Sequence, residues 1–449
     1  MSSPGAVTPS TADDGPTARR ETLSPSRSSP AAPRPPAVRR PLLIAGLVVA
    51  ALNLRPAVTS LSPLLKEVRA GLGMSGAVAG LLTSVPTLCF AVFGLAAPRL
   101  ARRWGPAAVV GAGMAAIAVG LLLRPYAGGV PGFVALSALA LAGIAVGNVL
   151  MPVVVKRWFP DRIGPMTGLY SMALAAGTTA AAASTVPLTD ALGGAWRLGL
   201  AAWALLAAAA ALVWAVLTVR ERGEGAVRTP GDARDEPGAR ITRSPTAWAL
   251  AVYFGLQATA AYIVMGWMPA IFRDAGVSAS TAGVLLAVTA LVGVPLAFVL
   301  PRLAARLPRQ GVLAVVLAAF GLTGYAGLWL APAAGAWAWA LLLGVSTCAF
   351  PLALTMIGMR ARTGAGVVRL SAFAQSAGYL LAIPGPLLVG WLNESTGGWD
   401  APIALMAALM VPQVVAGVLA GRDRTVEDEL GTGPDRTAEG EPRPGRPAR

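Results

Sequence analysis

Residues 200–217 read LAAWALLAAAAALVWAVL, eighteen positions from Leu200 to Leu217 without one charged side chain. A helix of this stretch is apolar on every face, whereas a helix at the surface of a soluble domain keeps a polar face toward water. A strand of a membrane barrel would instead alternate polar and apolar residues over about ten positions. Hydrocarbon about 30 Å thick is crossed by about 20 apolar residues in a helix, which also bonds its own backbone where water is missing. The stretch therefore reads as a transmembrane helix, and the fold follows from how often that pattern recurs.

It recurs along most of the chain. The 449 residues are 55% hydrophobic and only 13% charged, with mean hydropathy +0.64, far from a soluble domain of this length. Apolar runs fall near 41–64, 75–97, 106–124, 131–154, 163–186 and 197–219, and again near 246–271, 279–300, 311–331, 335–358, 370–392 and 399–420. The expected fold is all-α, with about twelve transmembrane helices in two six-helix halves, 41–219 and 246–420. A charged, Gly- and Pro-rich linker spans 220–245. The tails 1–40 and 421–449 are too polar to bury a core and are expected to be disordered. Pro98-Arg99-Leu100-Ala101-Arg102-Arg103 after span two is echoed by Pro301-Arg302-Leu303-Ala304-Ala305-Arg306 after span eight, and Pro152 by Pro351. Such an internal repeat suits two halves that rock about a central site.

Cations set the expected orientation. Every second loop carries a cluster: Arg99, Arg102 and Arg103; Lys156, Arg157 and Arg162; the linker; Arg302, Arg306 and Arg309; Arg360, Arg362 and Arg369. The alternate loops hold only Lys66, Arg69, Arg124, Arg197 and Arg273, several beside Glu67, Asp190 or Asp274. Both termini are thus expected in the cytoplasm of a multi-pass plasma-membrane protein. The clusters Arg99, Arg102, Arg103 and Arg302, Arg306 are the candidate gating loops. The net charge of +15 is this topology signal plus a basic tail, so no nucleic-acid partner is implied; membrane lipids are. Cys89 and Cys348 fall within spans and read as packing residues.

All 21 acidic residues map to loops or tails and histidine is absent, so no carboxylate relay lies within the spans. One cation does: Arg55, in Leu52-Asn53-Leu54-Arg55-Pro56-Ala57 of span one. A mid-membrane arginine costs about 2.5–3.5 kcal/mol even on the lenient insertion scale. With no buried Asp or Glu to offset it, the cargo is the expected counterion, since a planar guanidinium fork suits a carboxylate or another small oxygen- or nitrogen-bearing anion. The plainer reading is that Arg55 bonds backbone carbonyls of neighbouring helices or snorkels outward. Pro56 should loosen the helix beside it. Gln257 in span seven stands near the repeat-related position, with Tyr262 and Trp267 after it. Asn53, Asn148, and Gln375 with Tyr379 on one face of span eleven complete the candidate cargo contacts, each of which could equally be interhelical glue. Pro86, Pro152, Pro295, Pro351, Pro384 and Pro386 are candidate bending points. Neither a cofactor nor a metal site is expected, and the protein reads as a monomer.

The run Ala51-Leu52-Asn53-Leu54-Arg55-Pro56-Ala57-Val58-Thr59-Ser60 resembles the opening signature of the cyanate and 2-nitroimidazole transporter family of the major facilitator superfamily. Gly147-Asn148-Val149-Leu150-Met151-Pro152 through Lys156-Arg157, then Met166-Thr167-Gly168-Leu169-Tyr170-Ser171, resembles its passage from span four to five. Ala374-Gln375-Ser376-Ala377-Gly378-Tyr379-Leu380-Leu381, with Gly385-Pro386 beyond, resembles its span eleven. The resemblance implies the major facilitator fold, alternating access and a small planar or anionic cargo, with Arg55 as its contact. One departure stands out: Gly94 is followed by Leu95-Ala96-Ala97-Pro98-Arg99, where the superfamily commonly has an acidic residue.

Other classes fit less well. A proton-coupled multidrug exporter of the same fold usually needs a membrane carboxylate, and a membrane enzyme would cluster Asp, Glu, His or Cys at the membrane face. A sensor would be expected to carry a soluble domain. A primary pump would show G-x-x-x-x-G-K-[ST], yet the only lysines are Lys66 and Lys156. Secondary active transport of a small anion or small planar polar compound, cyanate-like, a nitro-heterocycle or a small carboxylate, is the expectation.

Overall fold

The computed structural model describes residues 40–222 and 241–430, all helices and connections with no strand among them. The expected disorder over 1–39 and 431–449, and linker residues 223–240, lie outside the described residues. Eleven helical stretches are long and apolar enough to cross a membrane, and Ile163–Ala191 is a twelfth of the same length whose Gly, Ser, Thr and Ala content dilutes its hydropathy. The first half is α1 (Pro41–Leu72), α2 (Gly76–Trp104), α3 (Pro106–Leu123), α4 (Val130–Trp158), α5 (Ile163–Ala191) and α6 (Trp196–Arg222). The second is α7 (Pro245–Asp274), α8 (Ala279–Arg306), α9 (Gly311–Leu330), α10 (Ala336–Met359), α11 (Gly366–Thr396) and α12 (Asp400–Ala420).

The helices outrun the apolar segments. Arg99, Arg102 and Arg103 lie in the closing turns of α2, Lys156 and Arg157 in those of α4, and Arg302 and Arg306 in those of α8. Cations at helix C-termini offset the partial negative charge of the unpaired carbonyls there. The five arginines expected to gate are exposed; Arg103 lies over the Trp104 ring at 5.4 Å and Arg302 donates to its own Phe298 carbonyl at 3.3 Å.

Three apolar cores organise the bundle. One gathers Leu47, Val110, Ile144, Leu150 and Trp214 of the first half, with Trp214 fully buried and its indole N–H donating to the Gly46 carbonyl at 3.0 Å. A second gathers Leu250, Phe254, Leu313, Leu352 and Met356 of the other half. The third mixes the halves, bringing Leu65, Val68, Phe133 and Leu200 against Trp267, Phe272, Leu285 and Val389. Its residues all lie toward the face away from the described chain ends.

That face is also clasped by charge. The Arg273 fork meets the Glu67 carboxylate at 2.8 and 2.6 Å and also donates to the Pro63 carbonyl at 2.8 Å. Lys66 pairs with Asp274, whose other oxygen accepts from the Trp399 indole at 2.8 Å. Backbones close ranks beside the clasp. A Cβ on Gly390 would stand 2.4 Å from the Gly76 carbonyl oxygen, and one on Gly283 would stand 2.3 Å from that of Ala182, so only glycine allows these approaches between the halves.

The other face carries one correction to the sequence reading, which places 421–449 in a disordered tail. Residues 421–430 are ordered, ending in a short helix, Val426–Glu429, opened by a reciprocal cap between Thr425 and Asp428. Glu429 accepts from the Thr246 amide at 3.2 Å and hydroxyl at 2.6 Å, neutralising the N-terminal end of α7. Arg362 pairs with Asp428 at 2.5 Å. Arg360, expected in a loop, is 2% exposed, donates to the Ala420 carbonyl at 2.9 Å and bonds Gln310. Short-range polar contacts fix this segment where hydropathy offers no signal.

Candidate substrate site

The first helix breaks where proline denies it a donor. Helix Arg40–Asn53 ends, Leu54 and Arg55 form a turn, and a short helix resumes over Pro56–Thr59 with Arg55 at its N-cap. The Val58 and Thr59 amides both return to the Arg55 carbonyl, at 3.0 and 3.2 Å. Pro56 sits at the first position of the new helix, which suits its fixed φ and missing N–H. The turn leaves the Arg55 side chain half-buried in the middle of the bundle.

Three tyrosines surround it. The guanidinium lies within electrostatic reach of the hydroxyls of Tyr262 on α7, Tyr170 on α5 and Tyr379 on α11. The chain has six tyrosines, so half of them converge on this one cation. Tyr379 stacks on Phe90 of α2 with centroids 5.0 Å apart and meets Phe254 of α7 edge-on at 5.0 Å. Arg55 has no ion pair with a carboxylate among the described residues. The result is a cation walled by aromatic faces and phenol hydroxyls from both halves, suited to a small anion or to a flat polar ring able to stack.

The remaining candidates fall into separate places. Asn148 stands behind the ring: its carboxamide oxygen accepts from the Tyr170 hydroxyl at 3.3 Å and its amide donates to the Ile144 carbonyl at 2.9 Å. Asn53 is 1% exposed and spends its amide on the carbonyls of Val49 and Leu206, at 2.8 and 3.2 Å, tying α1 to α6. Gln375 donates to the Ser371 hydroxyl at 2.6 Å along α11. Gln257 lines a void with Tyr325, Ser346, Thr347 and Gln413 inside the second half. Sequence reasoning assigned no role to Phe90, Phe254 or Tyr170. An aromatic in a span reads as packing, and only the Tyr170-containing motif offered a clue.

The comparisons now bear on this geometry. Residues 42–382 match the model of the Major Facilitator Superfamily. The chain is 34% identical over 393 residues to the 2-nitroimidazole transporter of Escherichia coli (strain K12), covering 86% of this chain and 96% of that protein. It is 33% identical over 373 residues to the cyanate transport protein CynX of the same organism, covering 81% and 93%. An uncharacterized transporter of Bacillus subtilis (strain 168), YycB, is 34% identical over 390 residues, covering 86% and 94%. Among solved structures, the inward-open xylose transporter XylE from E. coli aligns with TM-score 0.67 at 11% identity, over 87% of this chain and 98% of that one. A bacterial homologue of the lysosomal transporter Spinster, inward-facing and occupied, aligns with TM-score 0.67 at 17% identity, over 85% and 96%.

Proposed function

The chain belongs to the major facilitator superfamily and is a multi-pass membrane transporter rather than an enzyme, and on that premise we propose that it carries a small anion or small planar polar compound held at Arg55. The observation that carries this reading is the guanidinium of a broken membrane helix, set among Tyr170, Tyr262 and Tyr379 with no carboxylate paired to it among the described residues. A charge so placed is satisfied best by a ligand that brings the opposite sign. Two relatives are named for cyanate and for 2-nitroimidazole, a small anion and a flat nitro-heterocycle, and the Phe90–Tyr379 stack beside a cation accommodates both shapes.

Alternating access supplies the mechanism. The face bearing Glu67 and Arg273 is clasped by two ion pairs and by close backbone approaches between the halves, so the opposite face is the looser one. Cargo reaches Arg55 from that looser face, which on the distribution of arginine clusters is the cytoplasmic one and carries both termini. Because ring and cation come from both halves, rocking the halves apart at the clasp dismantles the site on one side and releases cargo on the other. The protein works as a monomer, with lipid around its apolar perimeter.

Uptake into vesicles by purified, reconstituted protein tests this. Cyanate or a small carboxylate is expected to be transported, nitro-heterocycles are expected to compete, and Arg55→Ala is expected to abolish uptake while leaving the protein folded. Transport of lipophilic cationic drugs that persists in Arg55→Ala would instead identify a multidrug exporter.

A further inference from the structure

The sequence places Arg124 among the loop cations, but the structure turns it inward at the end of α3, where it is 2% exposed. One of its nitrogens, Nη1, donates to the Ala57 carbonyl at 3.0 Å, capping a carbonyl left over where the short helix of α1 ends. The guanidinium also stands 5.7 Å from the centre of the Phe133 ring. Its Nε and Nη2 are buried with no hydrogen-bond partner, and so is the hydroxyl of Ser137, which is 0% exposed. Arg124 and Ser137 line one cavity, closed off by Ser62, Thr83 and, from the other half, Gly266. The hydroxyl protons of Ser62 and Thr83 are directed to the carbonyls of Met265 and Gly80.

Water alone would satisfy the hydrogen bonds but leave the charge. An isolated ion out of water is penalised by several kcal/mol, and no carboxylate pairs with Arg124 among the described residues. The unused groups in this cavity, Nε–H, the Nη2 hydrogens and the Ser137 hydroxyl, are donors. We propose that the cavity is a second anion site, in which one small monovalent anion of halide size is held by Arg124 Nε and Nη2 and Ser137 Oγ. Its volume excludes anything much larger than a water molecule or two.

The position gives the site a role. Ala57 is two residues beyond Arg55, and Gly266 four beyond Tyr262, so the cavity lies between the cargo ring and the clasp. Its walls come from both halves and separate when the clasp opens. The anion is therefore occluded while cargo is taken up from the looser face and exchanges only when the opposite face opens. This site does not depend on the Arg55 reading, since each arginine has its own unpaired charge.

Bromide serves as the probe, through anomalous diffraction and through thermal unfolding of the purified protein in bromide against gluconate at equal ionic strength. A bromide peak beside Arg124 in wild-type crystals is expected, with an unfolding midpoint several degrees higher in bromide. Arg55→Gln, which removes the other unpaired cation, should keep a difference, and adding Arg124→Gln to it should abolish that difference. Ser137→Ala should raise the half-effective bromide concentration about 3- to 10-fold by removing one donor to an anion. No peak at Arg124 together with equal wild-type midpoints, or a bromide effect in the Arg55→Gln protein that survives Arg124→Gln, overturns the site. If Arg124→Gln does not fold, the wild-type peak and the Ser137→Ala titration decide. An Arg55→Ala protein that still transports would sink the cargo reading and leave this one standing.

Discussion

Helices α1 and α7 open the two halves, and they match at one end and part company in the middle. Each ends on the clasped face with a basic residue followed by an acidic one, Lys66-Glu67 and Arg273-Asp274. The pairs engage reciprocally, Lys66 with Asp274 and Glu67 with Arg273, as patches related by a two-fold axis would. Counting back eleven residues from Lys66 and from Arg273 lands on Arg55 and Tyr262, which interact electrostatically across the same axis. Yet α1 is broken there by Pro56, whereas α7 runs unbroken from Pro245 to Asp274. The symmetry is kept at the charge clasp and dropped in the middle, where the proposed cargo site sets a cation on one wall and aromatics on the other.

The largest effect should come from making the two middles alike. Arg55→Ala removes the only charge in the ring and should cost about 3–5 kcal/mol of cargo binding, which is more than a hundredfold, readable as loss of saturable uptake and of ligand-induced thermal stabilisation. Arg55→Lys should recover little, because a point charge lacks the planar fork. Tyr262→Phe removes one acceptor and should cost about 0.5–1.5 kcal/mol, a loss of roughly threefold to tenfold. Equal effects of Tyr262→Phe and Arg55→Ala would mean that the phenol, not the cation, holds the cargo.

Some of this is legible in the chain and some is not, for physical reasons. Runs such as Leu200–Leu217 announce a span by composition alone, and Arg55 announces itself by its cost. Gln257 reads as the repeat-related counterpart of Arg55 because the loop repeats imply an offset near 203 residues, while α1 and α7 pair at the clasp in a register of 207, which sets Tyr262 opposite Arg55. Arg124 reads as a loop cation because it ends an apolar run, and only the packing of α1 against α3 and α4 draws it in. The ring of Tyr170, Tyr379 and Phe90 comes from three helices far apart in sequence, and no local pattern marks that convergence. Residues 421–430 fold because Glu429 and Asp428 find a helix terminus and an arginine, a tertiary reason invisible to hydropathy.

The matched ends should yield a smaller, conformational effect. Arg273→Ala leaves Glu67 facing Asp274 without the fork between them, which disfavours the clasped state. Arg273 is mostly covered but Glu67 is 37% exposed, so solvent screening limits the change to about 1 kcal/mol, roughly a fivefold rise in opening. Thiol labelling at Ala182→Cys in a cysteine-free background should quicken by that factor, since Ala182 is buried against Gly283. The reciprocal exchange Glu67→Arg with Arg273→Glu should slow labelling again, because the pseudo-symmetric pair tolerates reversal. Faster labelling in the double variant than in the single one would show that the clasp depends on more than its charge.

The smallest transport effect should come from the residue that sequence spacing favoured. Gln257 is 3% exposed, its carboxamide oxygen is buried without a hydrogen-bond partner, and its void lies inside the second half. Gln257→Leu has nearly the same volume and removes an unsatisfied polar atom, so stability should rise by about 1 kcal/mol. Uptake should stay within about twofold of wild type if α7 contributes to the site through Tyr262 alone. A tenfold fall in uptake with stability unchanged would place Gln257 against the cargo and restore the shorter register as the functional one. The register of α7 against α1 therefore decides which of two polar residues five positions apart faces the cation, and Gln257→Leu reads that register directly.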